Sequence, residues 1–221
     1  MRRIDNILSY IYPITIELTS SARNPVLEIM LYCGKYSLNS EYTNYSFGSL
    51  HTLFVKTFRR LNLNWNPINT ALILGFGTGS VAEIVHGYKS NCMIDGVEID
   101  PKVLELGEKY FNIKTLKNIT IHCTSAAQYV SECHKKYDLI VIDTYVDTNV
   151  PEEVETEQFI HSLKNILNSQ GMVVFNKFVN SKTSRNQLPL LKELYGKTFE
   201  NLKVMTVMST GKIFIAQKQP E

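Results

Sequence analysis

Residues 71–80 read ALILGFGTGS, an unbroken apolar run followed by a loop in which every second residue from Gly75 to Gly79 is glycine. A short strand that is buried on both faces of a parallel sheet has this continuous apolar pattern. Glycines let the chain turn sharply after such a strand and let its backbone approach a ligand closely. A helical pattern over residues 81–88 follows, and a helix N-terminus offers free N–H groups. The stretch therefore predicts a strand–loop–helix unit that binds a nucleotide-like ligand.

The alternation of apolar runs and helical patterns continues to the C-terminus. Further strands are predicted at residues 93–98, 119–122, 139–142, 172–175, 202–208 and 212–216. Helices are predicted from Pro101 and at about residues 126–133, 154–167 and 188–194. Thr210 and Gly211 suit a tight turn, so the last two strands form a hairpin. Because alternating β and α elements imply a covered parallel sheet, we predict an α/β, Rossmann-like fold whose mostly parallel seven-stranded sheet ends in an antiparallel hairpin.

The first 48 residues have a different pattern. Residues 14–18 alternate apolar and polar side chains, as a half-buried strand does, and two further strand-like runs flank Cys33 and Gly34. A helix is predicted at about residues 50–61. We therefore predict a small β-hairpin extension over residues 1–48 and one α/β domain over residues 49–221.

The composition excludes several classes of protein. The chain has 221 residues, of which 44% are hydrophobic and 20% charged, and these are ordinary globular values. A net charge of +2 without a basic run predicts no nucleic-acid partner. No run of about 18 apolar residues is present, and the apolar N-terminus lacks a cleavage motif, so we expect a cytoplasmic protein without a membrane span. The four cysteines and five histidines lack metal-site spacing, so no metal is predicted.

Glu98 ends the second predicted strand, about 20 residues after the glycine loop. An acid at this position accepts hydrogen bonds from ribose hydroxyls. NAD and adenosyl sulfonium cofactors both carry that ribose, so the acid does not choose between them. The loop has the spacing Gly-x-Gly-x-Gly followed by Ser80, which is tighter than the dinucleotide fingerprint Gly-x-Gly-x-x-Gly. An NAD-dependent oxidoreductase is therefore the less favoured alternative.

Several segments resemble a known family. Residues 72–79 (LILGFGTG) and 97–103 (VEIDPKV) resemble motifs one and two of the class I methyltransferase fold. Residues 138–143 (DLIVID), 156–159 (TEQF) and 171–176 (GMVVFN) are most similar to its spermidine-synthase-like branch. The resemblance implies a Rossmann-like methyltransferase fold and S-adenosylmethionine, or its decarboxylated form, as cofactor. It further implies a small-molecule substrate such as an amine, and a homodimer built through the N-terminal extension.

Two positions depart from the pattern of the spermidine synthases. Thr78 lies where they carry an aspartate that holds the aminopropyl end of the cofactor, and Ser125 lies where they carry an acid that binds the adenine amino group. Polyamine chemistry needs several carboxylates, to bind ammonium groups and to accept a proton. We therefore place methyl transfer first. Aminopropyl transfer and a non-catalytic relative that retains the fold are the alternatives.

The resemblance also assigns roles to individual residues. Asp143 follows a buried strand, at the edge of the sheet where ligands bind, and would accept the proton of the attacking nucleophile. Asp147 would orient a cationic substrate, and Tyr145 would cover it. The predicted catalytic residues are therefore Asp143, Asp147 and Tyr145. The predicted cofactor-binding residues are Gly75, Gly77, Thr78, Gly79, Glu98, Ser125, Ala126 and Asp143.

Overall fold

A computed structural model describes residues 3–41, 44–111, 113–145, 150–179, 181–208 and 211–220. Two residues that carry predictions lie outside these ranges. They are Asp147, predicted to orient the substrate, and Thr210, predicted for the turn of the C-terminal hairpin.

The N-terminal extension folds as a four-stranded antiparallel sheet with strand order β1-β2-β3-β4. Its elements are α1 (Arg3–Leu8), β1 (Ile14–Thr19), β2 (Leu27–Tyr32), β3 (Lys35–Ser40) and β4 (Asn44–Ser46), and α2 (Ser49–Leu61) follows. Alternate residues of β2 are buried, and Leu27 and Ile29 pack with Val103 and Leu106 of the following domain. This extension is confirmed, although neither α1 nor β4 had been predicted. The boundary at residue 48 stays a prediction.

The main sheet has seven strands in the order β10-β11-β9-β8-β5-β6-β7. They are β5 (Thr70–Leu74), β6 (Met93–Glu98), β7 (Ile119–Cys123), β8 (Tyr137–Ile142), β9 (Leu167–Phe178), β10 (Asn201–Val207) and β11 (Gly211–Gln217). Strands β5 to β9 pair in parallel, and β11 pairs antiparallel with both β9 and β10. The predicted fold class and its C-terminal hairpin are confirmed.

Helices cover both faces of this sheet, which explains its continuous apolar strands. The helices are α3 (Ser80–Tyr88), α4 (Pro101–Tyr110), α5 (Ala126–Glu132), α6 (Glu157–Asn165) and α7 (Lys182–Thr198). Residues 71–74 and 139–142 are fully buried, and successive side chains enter two separate apolar clusters, one on each face. Residues on the two faces of a parallel strand are thus equally removed from water.

The region after β8 differs from its prediction. The helix predicted at residues 154–167 is shorter, because the hydroxyl of Thr156 accepts a hydrogen bond from Phe159 N at 3.2 Å and starts α6 at Glu157. Residues Glu152–Glu155 form a separate 3-10 turn. The following strand β9 has 12 residues instead of the predicted four at 172–175. The apolar periodicity alone predicts a single helix here. The N-cap at Thr156 divides it into a 3-10 turn and the separate helix α6.

Large apolar side chains are exposed on the N-terminal extension. Their exposed fractions are 66% at Ile4, 69% at Ile7, 75% at Ile11 and 68% at Leu18. A homodimer through the N-terminal extension stays a prediction. Over the described ranges, no helix has both the length and the apolar character needed to cross a membrane.

Candidate active site

A cavity of about 590 Å³ opens at the carboxyl ends of the central strands, beside the N-terminal extension. Ligands of open α/β sheets bind at this edge. Of the residues predicted for the site, seven line the cavity: Gly75, Gly77, Glu98, Ser125, Ala126, Asp143 and Tyr145. These residues come from four separate stretches of the chain, so the fold brings the predicted donor-binding and catalytic groups together.

Two predicted cofactor-binding residues at the C-terminal end of the glycine loop, Thr78 and Gly79, do not line the cavity. Thr78 is fully buried, and its hydroxyl has no hydrogen-bond partner, while its backbone N–H donates to the Ser46 hydroxyl at 3.3 Å. Gly79 is the N-cap of α3, with φ +91°, and a Cβ there would lie 3.0 Å from Ile113. Their assigned roles stay predictions.

Gly75 brings the glycine loop against the segment that follows β8. Its φ is +85°, and a Cβ there would lie 2.3 Å from the carbonyl oxygen of Asp143. No side chain fits so close to backbone atoms, and a positive φ favours glycine. The close approach puts the start of the loop next to the predicted catalytic acid.

The carboxylate of Glu98 is almost fully buried and binds three backbone N–H groups. Oε2 accepts from Gly77 at 2.9 Å, and Oε1 accepts from Ile99 at 2.9 Å and Asp100 at 3.0 Å. A carboxylate has about four acceptor positions, so one position, on Oε2, stays available to a ligand hydroxyl. Burial raises the pKa of Glu98, against the lowering effect of the backbone donors. The side chain therefore shapes the glycine loop as well as facing the cavity.

Asp143 is the buried acid at the other side of the cavity, 7% exposed at the end of β8. Burial raises the pKa of this carboxyl group to about 7; hydrogen bonding to Asn176 lowers it, and the charge of Glu98 raises it. A proton acceptor is most effective when its pKa is close to the working pH. The environment of Asp143 is therefore suited to general-base chemistry.

Asn176 is a site residue to which the sequence analysis gave no role. It is 2% exposed and lines the cavity, and its Nδ2 donates to Asp143 Oδ1 at 3.0 Å. Its Oδ1 is buried and has no hydrogen-bond partner, so it offers an acceptor to a ligand N–H or O–H group. One signal for it was present: a polar residue at the end of an apolar strand adjacent to that of Asp143.

Tyr145 lines the cavity, but its hydroxyl group is bound to the end of β9. It donates to the carbonyl oxygen of Asn176 and accepts from Phe178 N at 3.0 Å. Burial holds the pKa of Tyr145 well above its ordinary value, so the phenol keeps its proton. The hydroxyl thus fixes the segment after Asp143 to the sheet, whether or not the ring covers a substrate.

Replacing Tyr145 with phenylalanine tests this fixing role. The change removes both hydrogen bonds and leaves a backbone donor and a backbone acceptor unpaired, so the free energy of unfolding should fall by about 1–3 kcal/mol. Chemical denaturation of the two proteins measures the difference. Tyr129→Phe, which loses hydroxyl contacts with the side chains of Tyr137 and Cys133, is the control. Unchanged stability in Tyr145→Phe would contradict the fixing role.

The N-terminal extension contributes one wall of the cavity, which sequence analysis did not predict. Buried Asp100 accepts hydrogen bonds from the side chains of Ser21 and Asn24 and so holds this segment against the start of α4. Tyr45 of β4 forms a hydrogen bond with Asn24 and lines the cavity. Burial, together with the charges of Glu98 and Asp100, keeps the pKa of Tyr45 well above its usual range. The neutral hydroxyl group of Tyr45 therefore lies near the carboxyl groups of Glu98 and Asp143.

Ser125 lines the cavity from the start of α5. Its hydroxyl is the N-cap of the helix and accepts from Gln128 N at 3.1 Å. An N-cap hydroxyl of this kind stabilises a helix by about 1 kcal/mol. The residue therefore has a structural role as a helix cap, and the adenine contact stays a prediction.

Comparison with known proteins identifies relatives of two kinds. The chain is similar to a polyamine aminopropyltransferase of Vibrio vulnificus, at 32% identity over 136 residues, 60% of this chain and 45% of that protein. It is also similar to a human eEF1A lysine and N-terminal methyltransferase, at 28% identity over 117 residues, 48% of this chain and 17% of that protein. The chain thus spans less than half the length of these curated relatives.

Solved structures show the same fold. A spermidine synthase in complex with the transition-state analogue AdoDATO matches with a TM-score of 0.69 at 19% identity, over 94% of this chain and 73% of that chain. Residues 61–218 match the spermine/spermidine synthase domain. That match includes β5 to β11 and the glycine loop, Glu98 and Asp143. The chain therefore belongs to the spermine/spermidine synthase domain family.

Proposed function

We propose that this chain transfers an aminopropyl group from decarboxylated S-adenosylmethionine to an amine. The observation that carries the proposal is the match of residues 61–218 to the spermine/spermidine synthase domain, together with the buried carboxyl group of Asp143 at the edge of the sheet where ligands bind. Membership of the family and the similarity to a polyamine aminopropyltransferase support aminopropyl over methyl transfer, which we had placed first. Thr78, which replaces the loop aspartate of the spermidine synthases, is the residue that argues against this choice.

The cavity fits an adenosyl sulfonium donor. Its volume of about 590 Å³ lies within the roughly 300–1,000 Å³ of small-molecule sites. Gly77 has no side chain to obstruct the donor, Glu98 has one acceptor position free, and Ser125 and Ala126 line the same cavity. The unpaired Oδ1 of Asn176 is a buried polar atom that a bound ligand would satisfy. These residues would hold the adenosyl group and the reacting end of the donor.

A sulfonium donor supplies an electrophilic carbon and a neutral thioether as the leaving group. Asp143 takes the proton of the attacking amine, so that the nitrogen lone pair is free to form the new C–N bond as the C–S bond breaks. Asn176 Nδ2 keeps the carboxylate in place through a hydrogen bond of 3.0 Å. Holding nucleophile and carbon in line contributes a large part of the rate in such transfers. Asp147 and Tyr145 remain proposed contacts of the acceptor.

Methyl transfer from S-adenosylmethionine is the second candidate. The similarity to a lysine and N-terminal methyltransferase favours it, and so does Thr78, since the loop lacks the acid that would bind an aminopropyl ammonium group. Arg23, which lines the cavity, is a cation that suits a donor carrying a carboxylate. Both reactions use the same acceptor chemistry at Asp143.

A thermal-shift panel distinguishes the candidates. The ligands are S-adenosylmethionine, decarboxylated S-adenosylmethionine, the thioether product of each, and NAD. At about 100 times its dissociation constant a ligand stabilises a protein by roughly 2.7 kcal/mol, or several degrees at about 2–4 °C per kcal/mol. We expect the largest shift with the decarboxylated donor and its product. A larger shift with S-adenosylmethionine would support methyl transfer, and no shift with any ligand would support a non-catalytic relative.

A further inference from the structure

The cavity has an outer wall formed by residues 151–155, which we call the rim segment. Pro151, Glu153 and Val154 of this segment line the cavity. Val154 is 1% exposed and belongs to the apolar cluster on one face of the sheet. The segment carries three acids, Glu152, Glu153 and Glu155, of which only Glu153 lines the cavity.

Lys177 of β9 forms a buried ion pair with the rim segment. Its Nζ lies 2.6 Å from Oε1 and 2.7 Å from Oε2 of Glu155, and 3.4 Å from Oε1 of Gln187 in α7. The lysine side chain is 3% exposed and that of Glu155 13%, whereas both side chains of every other Lys–Glu pair in the described residues are at least 22% exposed. A buried charge is costly unless it is paired, so each partner depends on the other.

The ion pair completes a set of three contacts made by consecutive residues at the end of β9. Asn176 binds the carboxylate of Asp143, and Phe178 N donates to the hydroxyl of Tyr145. Lys177, between them, binds Glu155. The chain after β8 is thus attached to β9 at its start and at its far end. The second attachment, together with the buried side chain of Val154, holds the rim segment in position.

The pair also determines which acid of the rim segment is available to a ligand. The carboxylate of Glu155 is neutralised by Lys177. Glu153 lines the cavity, and no lysine or arginine of the described residues forms an ion pair with it. A carboxylate at a cavity wall binds an ammonium group through charge-assisted hydrogen bonds. The buried, unpaired Oδ1 of Asn176 is a second acceptor in the same cavity.

We propose that Lys177 is a positioning residue for the acceptor amine: its ion pair with Glu155 holds the rim segment so that Glu153 binds an ammonium group of the acceptor. The inference rests on the proposed function, since it assumes a cationic acceptor. Glu153 contacts the acceptor directly, and Lys177 acts only through the position of the rim segment. The acceptor accordingly carries a second ammonium group besides the nitrogen that attacks, as a diamine does.

Steady-state kinetics with a diamine acceptor test this assignment. Lys177→Met should raise the acceptor KM about tenfold or more, the loss of roughly one charge-assisted contact, with kcat and donor affinity little changed. Glu153→Gln should have the same effect, and the double variant should be no worse than either single variant. Lys197→Met, which breaks the exposed pair with Glu193, is the matched control. The exchanged pair Lys177→Glu with Glu155→Lys should recover part of the acceptor affinity.

Hydrogen exchange provides a readout that does not depend on turnover. In Lys177→Met, faster amide exchange should be confined to residues 150–155 and the end of β9. An acceptor KM no higher than that of Lys197→Met, or donor and acceptor affinities reduced equally, would overturn the proposal. If Lys177→Met does not fold, Glu155→Gln and the exchanged pair decide by the same criteria. If the wild-type protein transfers to no amine, the proposed function and the role of Glu153 both fail, and local exchange alone decides whether Lys177 positions the rim segment.

Discussion

Asp143→Asn should lower kcat about 10²- to 10⁴-fold, the usual contribution of a positioned general base. Asparagine keeps the size of the side chain and still accepts the hydrogen bond from Asn176 Nδ2. It cannot take a proton from the attacking amine. Single-turnover kinetics with saturating donor measure the chemical step directly, and full activity in this variant would remove Asp143 from the mechanism.

The pH profile gives the same prediction a second test. The pKa of Asp143 is raised from 3.8 to about 7, so wild-type kcat should rise as pH increases towards 7 and level off above it. In Asp143→Asn this rise should be absent. A folded-state pKa above the unfolded value means that the group favours folding at low pH and that this contribution is lost as pH rises from about 4 to about 7. Asp143→Asn should therefore unfold at a higher temperature than the wild type at pH 8, with little difference at pH 4.

Asp138, at the opposite end of the same strand, is the matched control. Its Oδ2 accepts from Asn69 N at 2.8 Å and Thr70 N at 2.9 Å, and its Oδ1 accepts from Asn168 at 2.7 Å. Burial raises the pKa of Asp138, but these hydrogen bonds lower it by more, so that the pKa lies below its ordinary value. Asp138→Asn should cost about 1–3 kcal/mol of stability, because asparagine cannot satisfy all these donors, and should leave kcat largely intact. The two variants thus separate a structural carboxylate from a catalytic one.

The central fold was predictable because its signals are local. Buried parallel strands need unbroken apolar runs. The runs at residues 71–74 and 139–142 therefore predicted two buried strands, and both are fully buried. The carboxyl ends of such strands meet at one edge of the sheet, so the sequence alone predicts that Glu98 and Asp143 lie close together, and both line the cavity. Element ends were less predictable, because the cap at Thr156 lies within a helical pattern that continues on both sides of it.

The remaining part of the site depends on contacts between distant parts of the chain. Asn24 binds Asp100 across 76 positions, and this contact places the N-terminal segment beside the cavity. Lys177 and Glu155 are largely buried as an ion pair, whereas charged residues are expected from sequence to lie at the surface. The residues of the site do not decide between methyl and aminopropyl transfer, because Thr78 and Ser125 lack the acids of the spermidine synthases while residues 61–218 match their domain.

Glu98→Ala should lower the affinity for adenosyl ligands about 100-fold or more. The variant loses an acceptor for the ribose, and three backbone N–H groups, those of Gly77, Ile99 and Asp100, lose their partner. Each unpaired buried donor costs about 1–3 kcal/mol, so we also expect the protein to be less stable by several kcal/mol. Isothermal titration calorimetry with the thioether products measures the affinity. Glu105→Ala, which loses only an exposed pair with Lys102, is the control.

Glu98→Gln separates the two roles of this carboxylate. The amide oxygen of glutamine can still accept from Ile99 and Asp100. Its NH₂ group, however, takes the place of Oε2, which accepts from Gly77 N in the wild type. Two donors cannot pair, so the glycine loop should lose its bond to Glu98, while the bonds from Gly75 N and Phe76 N to the Val97 carbonyl oxygen remain. We expect Glu98→Gln to keep more stability than Glu98→Ala and yet to bind adenosyl ligands as weakly. If Glu98→Gln instead binds them within about threefold of the wild type, the free position on Oε2 is not the ribose acceptor. The bond from Gly77 N to Oε2 would then be unnecessary for donor binding as well, and Glu98 would contribute only through its bonds from Ile99 and Asp100.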